Sequence, residues 1–232
     1  AFICTQDLKN EDYINDHFVI MCTKKGQFKK TSLEQYSRPR SNGINAITIK
    51  EDDELLEAKL TNGNSQILIA VKSGKCIRFE ENKTRPMGRN ASGVRGVRLK
   101  DQKDEVVGMI SVNDMDSDIL VVSENGYGKR SKLEDYRITN RGGKGVKTIS
   151  ITEKTGNLVS LKNVSDGDDL MIINKSGIAI RMEVNTLRVM GRATQGVRLI
   201  NIKDNDSIAA VAKVVLDDQE VTDIEEIDVV ED

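Results

Sequence analysis

The feature that most constrains the fold of this 232-residue chain is an internal repeat marked by glycines. A first glycine closes a short apolar run in each copy, and a second glycine follows in the same copy. The first set is Gly26, Gly74, Gly126 and Gly177, and the second set is Gly43, Gly93, Gly145 and Gly196. A period of about 50 residues is typical of propellers and solenoids, in which each unit buries its apolar face against the next.

Short runs rich in Val and Ile predict β-strands within each copy. A hairpin is indicated around each first glycine, by "FVIMCTKKGQFKKTSL", "QILIAVKSGKCIRFEE", "DILVVSENGYGKRSKL" and "DLMIINKSGIAIRMEV". Each second glycine precedes another β-prone run ("INAITI", "VRGVRL", "VKTISI", "VRLINI"), and a third strand follows ("ELLEAKL", "EVVGMIS", "NLVSLKN", "SIAAVAK"). No segment keeps a 3.6-residue apolar period over a helical length. We therefore predict an all-β fold of about four blades, each a four-stranded antiparallel sheet.

The repeat divides the chain into three parts. Residues 1–17 are predicted to hold the end strand of a preceding blade, "AFICT", and a polar linker, so the sequence is expected to start in mid-repeat. The repeats occupy residues 18–216, at about 18–65, 66–117, 118–168 and 169–216. Residues 217–232 contain nine Asp and Glu and no Lys or Arg, and we expect them to form a disordered acidic tail.

A basic body is hidden by the net charge of −2. Residues 18–216 carry 34 Lys and Arg against 24 Asp and Glu. Many of the cations recur at matching repeat positions, either four residues after the first glycine or around the second glycine. The first group is Lys30, Arg78, Arg130 and Arg181, and the second is Arg38, Arg40, Arg85, Arg89, Arg95, Arg98, Arg137, Arg141, Lys144, Lys147, Arg188, Arg192 and Arg198.

Stacked repeats would align these cations along one rim, which suits a phosphate backbone. The alternative is a solvated face that serves solubility only. Single-strand and RNA binders rely on aromatic platforms, but the chain has no Trp and only four Tyr and four Phe. Nothing resembles a recognition helix either. The composition therefore favours duplex DNA, bound without sequence specificity.

The stretch "RGGKG" places Gly142, Gly143 and Gly145 beside Arg141 and Lys144, and such loops can contact phosphates. It is not a nucleotide-binding P-loop, because Lys144 is followed by Gly145 and no GKS or GKT occurs in the chain. The single histidine, His17, argues against a zinc site or a histidine-based triad. We predict no catalytic residue, metal or cofactor in this chain.

Cysteine usage and hydropathy bear on the compartment. The three cysteines form no CxxC pair, which favours a reducing environment over a disulfide framework. No apolar run reaches about 18 residues, and no secretory leader is recognisable. We expect no membrane association.

The repeats resemble the C-terminal domain of the DNA gyrase A protein. "RPMGRNASGVRGVRL" (Arg85–Leu99) and "RVMGRATQGVRLINI" (Arg188–Ile202) are similar to its blade loops, and "NGYGKRSKLEDYRITNRGGKGVKTI" (Asn125–Ile149) is similar to a blade that carries the gyrase A box. The resemblance implies a β-pinwheel with strands exchanged between neighbouring blades. Because that domain commonly has six blades, the chain would be a fragment of it.

The same resemblance implies a function. The domain would bind, bend and wrap duplex DNA around its basic rim, and so enable a type II topoisomerase to introduce negative supercoils in an ATP-dependent reaction. Catalysis, ATP and magnesium would belong to other domains, so this chain would not be an enzyme by itself. Its partners would be duplex DNA, the rest of the gyrase A protein and the gyrase B protein. The isolated domain would be monomeric, and the complete protein would be cytoplasmic and associated with a bacterial chromosome.

Two departures keep alternatives open. The family's box reads Gln-Arg-Arg-Gly-Gly-Lys-Gly, whereas Thr139 and Asn140 occupy its first two positions here. The box usually lies in the first blade, whereas this copy lies in the third repeat. One alternative is the C-terminal domain of the topoisomerase IV C protein, which shares the pinwheel but lacks a well-formed box. Another is a propeller that serves as a protein-interaction scaffold.

Overall fold

A computed structural model describes residues 3–203 and 206–214, and its secondary structure is almost entirely β. One α-helix, α1 (Glu11–Asp16), comes before fifteen strands in these residues. The strands are β1 (Phe18–Thr23), β2 (Gln27–Ser32), β3 (Leu55–Thr61), β4 (Gln66–Val71), β5 (Lys75–Glu80), β6 (Val94–Arg95), β7 (Val106–Val112), β8 (Asp118–Ser123), β9 (Tyr127–Lys132), β10 (Val146–Lys147), β11 (Leu158–Val164), β12 (Asp169–Asn174), β13 (Ala179–Glu183), β14 (Val197–Arg198) and β15 (Ile208–Val214). One 3₁₀ turn follows the second strand of each repeat: η1 (Leu33–Tyr36), η2 (Glu81–Lys83), η3 (Leu133–Asp135) and η4 (Val184–Thr186).

The strands form four antiparallel sheets, which we number as blades 1 to 4. Their strand orders are β3-β1-β2-β6, β7-β4-β5-β10, β11-β8-β9-β14 and β15-β12-β13. A hairpin forms the centre of each blade, and the third strand of the same repeat lies at one edge. The strand at the other edge comes from the following repeat, so neighbouring repeats exchange strands. Blade 4 has three strands in the described residues.

The second glycine of the second, third and fourth repeats allows this exchange. Gly145 has φ +69°, and a Cβ built on it would lie 2.4 Å from the carbonyl oxygen of Cys76 in the preceding blade. Gly196 has the same relation to the carbonyl oxygen of Gly128, also at 2.4 Å. Only a residue without a side chain permits both the left-handed backbone and this close approach. The glycine periodicity therefore reflects how each repeat attaches to the one before it.

The apolar core lies between the blades. Strand β4 is apolar from Ile67 to Val71 because its two faces are both covered. Ile67, Ile69 and Val71 pack in the cluster shared with blade 1, while Leu68 and Ala70 pack in the cluster shared with blade 3. Strand β4 is therefore continuously hydrophobic, as strands of buried parallel sheets are, although its own sheet is antiparallel.

Three local predictions differ from the structure. Ile3–Thr5, the described part of "AFICT", form no strand, and Ala1 and Phe2 lie outside the described residues, as does the predicted acidic tail 217–232. The expected linker contains α1, whose first turn is capped because the side chain of Asn10 accepts from the Tyr13 N–H at 3.0 Å. The run "INAITI" forms no strand, since none of the described residues supplies a preceding blade for it to join. None of the helices in the described residues has the length and hydropathy to span a bilayer.

Candidate nucleic-acid interface

After its 3₁₀ turn, each repeat runs along the outer edge of the molecule. We call these segments rim loops L1 (38–49), L2 (85–100), L3 (137–151) and L4 (188–202). Together they contain fourteen Arg and Lys and not one Asp or Glu. At the opposite edge of the sheets, the third strands of successive blades pack against one another, β3 on β7, β7 on β11 and β11 on β15. The rim loops therefore lie away from the axis of the array.

Each later rim loop is attached to the second strand of the preceding blade by an equivalent backbone hydrogen bond. The N–H of Met87 donates to the carbonyl of Lys30 at 2.7 Å. In the same way Thr139 donates to Arg78 and Met190 donates to Arg130, both at 2.8 Å. The repetition of one bond at three positions shows that L2, L3 and L4 are held in the same manner.

The rim loops are also bonded to one another. The N–H of Thr48 in L1 donates to the carbonyl of Ala91 in L2 at 3.4 Å. The equivalent bonds are Arg98 to Gly143, at 2.8 Å, and Ser150 to Thr194, at 3.0 Å. The four loops consequently form one connected cationic edge.

Most of the cations predicted around the second glycine are open to solvent. The exposed ones are Arg38, Arg40, Arg85, Arg95, Arg98, Arg137, Arg141, Lys144, Lys147, Arg188 and Arg198, whereas Arg89 and Arg192 are half-buried. Side chains from neighbouring loops share hollows. Arg40 and Arg89 line a hollow of about 510 Å³ between L1 and L2, and Arg98 and Lys144 line one of about 150 Å³ between L2 and L3. Among the residues that the structure describes, no acidic one lines the first hollow, which is therefore suited to an anion, whereas Asp104 also lines the second.

Three of the four cations that lie four residues after the first glycine, Lys30, Arg78 and Arg130, are buried, so their predicted place on the rim is wrong. Lys30 is 4% exposed and forms an ion pair of 3.1 Å with buried Glu81. Arg78 is 8% exposed and donates to the carbonyls of Leu133 at 2.6 Å and Tyr136 at 2.9 Å. These side chains join blade 1 to blade 2 and blade 2 to blade 3.

The two later members of this group also have acidic partners. Arg130 is buried between Asp118 and Asp166. Arg181 pairs with Asp169 at 2.6 Å while about half of its side chain, 51%, stays exposed. Asp118 and Asp169 lie at the start of the first strand of their blades, so Arg130 and Arg181 both have an acidic partner within their own sheet.

The glycines of "RGGKG", expected to lie in a phosphate-contacting loop, mainly make contacts within the protein. Gly142 has φ +79° and donates its N–H to the carbonyl of Gly96 at 2.6 Å, so this group is not free for a phosphate. Gly145 packs on the backbone of Cys76. Gly143 is exposed, and its carbonyl accepts from Arg98. The glycines shape L3, and the side chains of Arg141, Lys144 and Lys147 carry its accessible charge.

Two buried lysines that contact the rim loops were not predicted from the sequence. Lys29 is fully buried, and its Nζ donates to the carbonyls of Ala46, at 2.7 Å, and Arg89. Lys129 is equally buried and donates to the carbonyl of Gly191 at 2.5 Å. Burial lowers the pKa of each ammonium from 10.5 to about 8. These lysines hold L2 and L4 from beneath.

The signal for them was the alternation of repeat types. Lys29 and Lys129 alternate with Ile77 and Ile180 at the third residue after the first glycine. In blade 2, a Cβ on Gly143 would lie 3.4 Å from Cδ1 of Ile77, so L3 lies over an apolar side chain where L2 and L4 lie over an ammonium. The two types of rim loop therefore differ in the side chain beneath them, which is a buried lysine for L2 and L4 and an isoleucine for L3.

The tyrosines serve packing and support. Tyr136 is fully buried, its hydroxyl lies 2.5 Å from that of Thr148, and burial raises its pKa. Tyr127 accepts from Nη2 of Arg198 at 2.8 Å, and this bond lowers the pKa of the phenol. Within residues 3–203 and 206–214, no group of three or more His, Cys, Asp or Glu could hold a metal ion.

Consecutive antiparallel blades with exchanged edge strands and cationic outer loops define a propeller-type repeat domain of the β-pinwheel kind. Sequence comparison agrees at each repeat. Residues 17–62, 66–113, 117–165 and 168–214 match the family described as "DNA gyrase C-terminal domain, beta-propeller". The chain belongs to this family.

A relative with high sequence identity belongs to the same family. The chain is 45% identical over 234 residues to the DNA gyrase A protein of Staphylococcus aureus strain MRSA252, covering 100% of this chain and 26% of the relative. It thus spans about a quarter of the length of the curated relatives it matches.

Two solved structures have the same fold. A structure of a DNA gyrase A C-terminal domain aligns with TM-score 0.77 at 25% identity, covering 89% of this chain and 68% of that one. The C-terminal domain of a DNA topoisomerase IV aligns with TM-score 0.82 at 22% identity, covering 89% and 64%, and this likeness concerns the fold alone.

Proposed function

We propose that this chain binds duplex DNA along the connected edge formed by L1–L4. The observation that carries the proposal is the separation of charge, since all fourteen cations of the rim loops are without an acidic neighbour in those loops. The loops are bonded into one edge, so their cations can act on one continuous ligand. A phosphate backbone is such a ligand, and it needs no sequence-specific contact.

We further propose that the DNA is bent around this edge. Bending a duplex through about 180° over about 45 bp costs roughly 10 kcal/mol for a persistence length of about 150 bp. No single loop can offset this cost, whereas phosphate contacts repeated from blade to blade can. The repeat therefore suits wrapping better than it suits a single docking site.

In the complete protein we propose the role that family membership suggests. The domain would present wrapped DNA to a gyrase, whose A and B proteins would use ATP to introduce negative supercoils in the bacterial cytoplasm. This chain would contribute DNA geometry and no catalytic group. The family match and the 45% identity over the whole chain support this assignment over a topoisomerase IV component or a protein scaffold.

The test is a plasmid relaxed by a topoisomerase in the presence of increasing amounts of this chain. Chiral wrapping leaves a residual linking difference after deproteinisation, whereas binding without wrapping leaves none. Arg95, Arg98 and Lys144 changed together to Gln should abolish the difference. The matched control changes the exposed, off-rim Lys9, Lys83 and Lys175 to Gln, removes the same charge, and should retain it. Equal loss in both triple variants would refute the rim as the binding surface.

A further inference from the structure

One arginine position recurs in the later rim loops and makes the same unusual contact each time. Arg89, Arg141 and Arg192 each lie four residues before the second glycine of their repeat. Each donates from Nη1 to a backbone carbonyl in the preceding rim loop, and in each case the acceptor lies two residues after that loop's own second glycine. The bonds are Arg89 to Asn45 at 3.3 Å, Arg141 to Arg95 at 3.4 Å and Arg192 to Lys147 at 2.8 Å.

The first rim loop differs at this position. Pro39 occupies the equivalent place in L1. The arginine and its carbonyl contact therefore occur together in L2, L3 and L4. A cation kept only for solubility or for general phosphate attraction has no reason to repeat the same carbonyl contact in three loops.

The chemistry of the guanidinium suits a double role. It has five N–H donors in a planar fork, and one of them is sufficient for the carbonyl. The other donors of Arg141 face solvent, because its side chain is exposed. A lysine has the same charge but concentrates it on one nitrogen, so it cannot hold the carbonyl and keep an equivalent fork for a phosphate.

We propose that Arg89, Arg141 and Arg192, the bridging arginines, are positioning residues that fix the displacement of each rim loop relative to the one before it. They act beside the backbone bonds between the loops, so they orient loops that are already attached. The part of this inference that concerns DNA rests on the proposed function, because the direction of a wrapped duplex would follow the succession of loops. The bridging arginines would then set the geometry of wrapping more than its affinity.

The test compares Arg141→Lys with Arg137→Lys in the full chain. Arg137 lies in the same loop and is exposed, and within the described residues its side chain has no hydrogen-bond partner. The first readout needs no DNA. Nitroxide labels on cysteines introduced at the exposed Asn90 and Asn140 report the distance between L2 and L3. Cys4, which is exposed, is changed to Ser, while Cys22 and Cys76 are buried and their thiol pKa values are raised by burial, so they resist labelling.

Arg141→Lys should shift or broaden the distance distribution, and Arg137→Lys should leave it unchanged. Identical distributions in the two variants would overturn the proposal. The second readout is the plasmid linking difference at saturating protein. Arg141→Lys should lower it while the dissociation constant changes by less than about twofold, since the charge is kept.

The two readouts separate the two proposals. An altered distance distribution in a chain whose wild type leaves no linking difference would support the bridging role and reject wrapping. An altered distribution with a linking difference equal to that of the wild type would overturn the claim that the bridging arginines direct the DNA. Arg141→Gln, which removes both the bond and the charge, should lower the linking difference and weaken binding.

Discussion

The rim loops at the outer edge and the contacts between blades, which we call the inner side, both contain cations that look alike in the sequence. The two sets differ in burial and in what their charges face. On the outer edge, Arg95 and Lys144 are exposed, and no acidic residue lies in the loops that carry them. On the inner side, Lys30 and Arg78 are buried and direct their charge to Glu81 or to backbone carbonyls. The same residue types therefore join the blades in one place and remain available for a partner in the other.

This difference shows that regular spacing is not a sufficient criterion for a binding residue. Every position of a repeat recurs with the period of the repeat, whether it contributes to folding or to recognition. What separates the two groups is burial, since Lys30, Arg78 and Arg130 are enclosed with their polar partners whereas most of the rim cations are exposed. Substitutions should accordingly affect stability on the inner side and DNA binding on the outer side.

The largest expected effect is at the inner ion pair. Glu81→Ala would leave the ammonium of Lys30 buried without its partner, and it would also remove an acceptor from Thr61 Oγ1 at 2.7 Å. We expect the free energy of unfolding to fall by about 3–5 kcal/mol, measured by urea denaturation. Glu80→Ala is the control, because its pair with Lys83 is exposed and should contribute less than about 1 kcal/mol. Equal losses in the two variants would contradict the distinction.

A smaller effect is expected where a rim loop joins the preceding blade. Gly145→Ala combines φ +69° with a Cβ 2.4 Å from a carbonyl oxygen, and should cost about 2–3 kcal/mol. Gly43→Ala has a similar φ of +79° but open space around the new Cβ, and should cost about 1 kcal/mol. Thermal unfolding of both variants checks the order. A Gly43→Ala variant at least as unstable as Gly145→Ala would show that backbone conformation, and not blade contact, decides the cost.

Lys129, the buried lysine beneath L4, should make the free energy of unfolding depend on pH, with an effect of intermediate to small size. Because the pKa of Lys129 is about 8 in the folded state and 10.5 for a solvated lysine, the unfolded chain holds a proton that the folded protein has lost between these values. Stability attributable to Lys129 should therefore rise with pH across this window, by on the order of 1 kcal/mol. Lys129→Ile, which copies the residue of the alternate repeats, should lack this rise.

The measurement is the difference in unfolding free energy between wild type and Lys129→Ile at about pH 7.5 and about pH 10. Other groups contribute equally in both proteins and cancel in the difference, including Tyr136, whose phenol begins to ionise in this range only in the unfolded chain because burial raises its pKa in the folded state. A difference that stays constant, or that falls with pH, would show that Lys129 is not held in the strongly desolvated state described above.

The smallest effect on stability is expected at the outer edge. Arg188→Gln should change the free energy of unfolding by no more than about 0.5 kcal/mol, because the side chain is exposed. It should instead reduce the log–log salt dependence of DNA binding by about 0.9, the value for one lost phosphate contact. A variant that loses stability and keeps the salt slope would place Arg188 with the inner cations.

Much of the fold was predictable because it follows from local patterns. The hairpins follow from apolar runs that end at a glycine turn, and the blade number follows from the period. The three residues of "AFICT" that are described, and the run "INAITI", show the limit of this reasoning. Both have strand propensity, but an edge strand needs a partner, and propensity does not supply one.

The candidate site was predictable in part for the same reason. Most of the cations around the second glycine are exposed, and their contact with DNA stays a prediction, whereas Lys30, Arg78 and Arg130 are buried. The buried Lys29 and Lys129 were missed because a lysine is rarely enclosed, and only contact with carbonyls from the next repeat makes its burial tolerable. That contact joins residues about 60 positions apart, such as Lys129 and Gly191.

The sequence by itself determined the all-β class, the fourfold repeat, the glycines at which repeats meet and the family to which the chain belongs. These are carried by short-range patterns and by periodicity, which need no knowledge of neighbours in space. Only the tertiary structure decided which cations remain free. A charge is neutralised or left open by what faces it across two blades, and strand exchange determines that pairing.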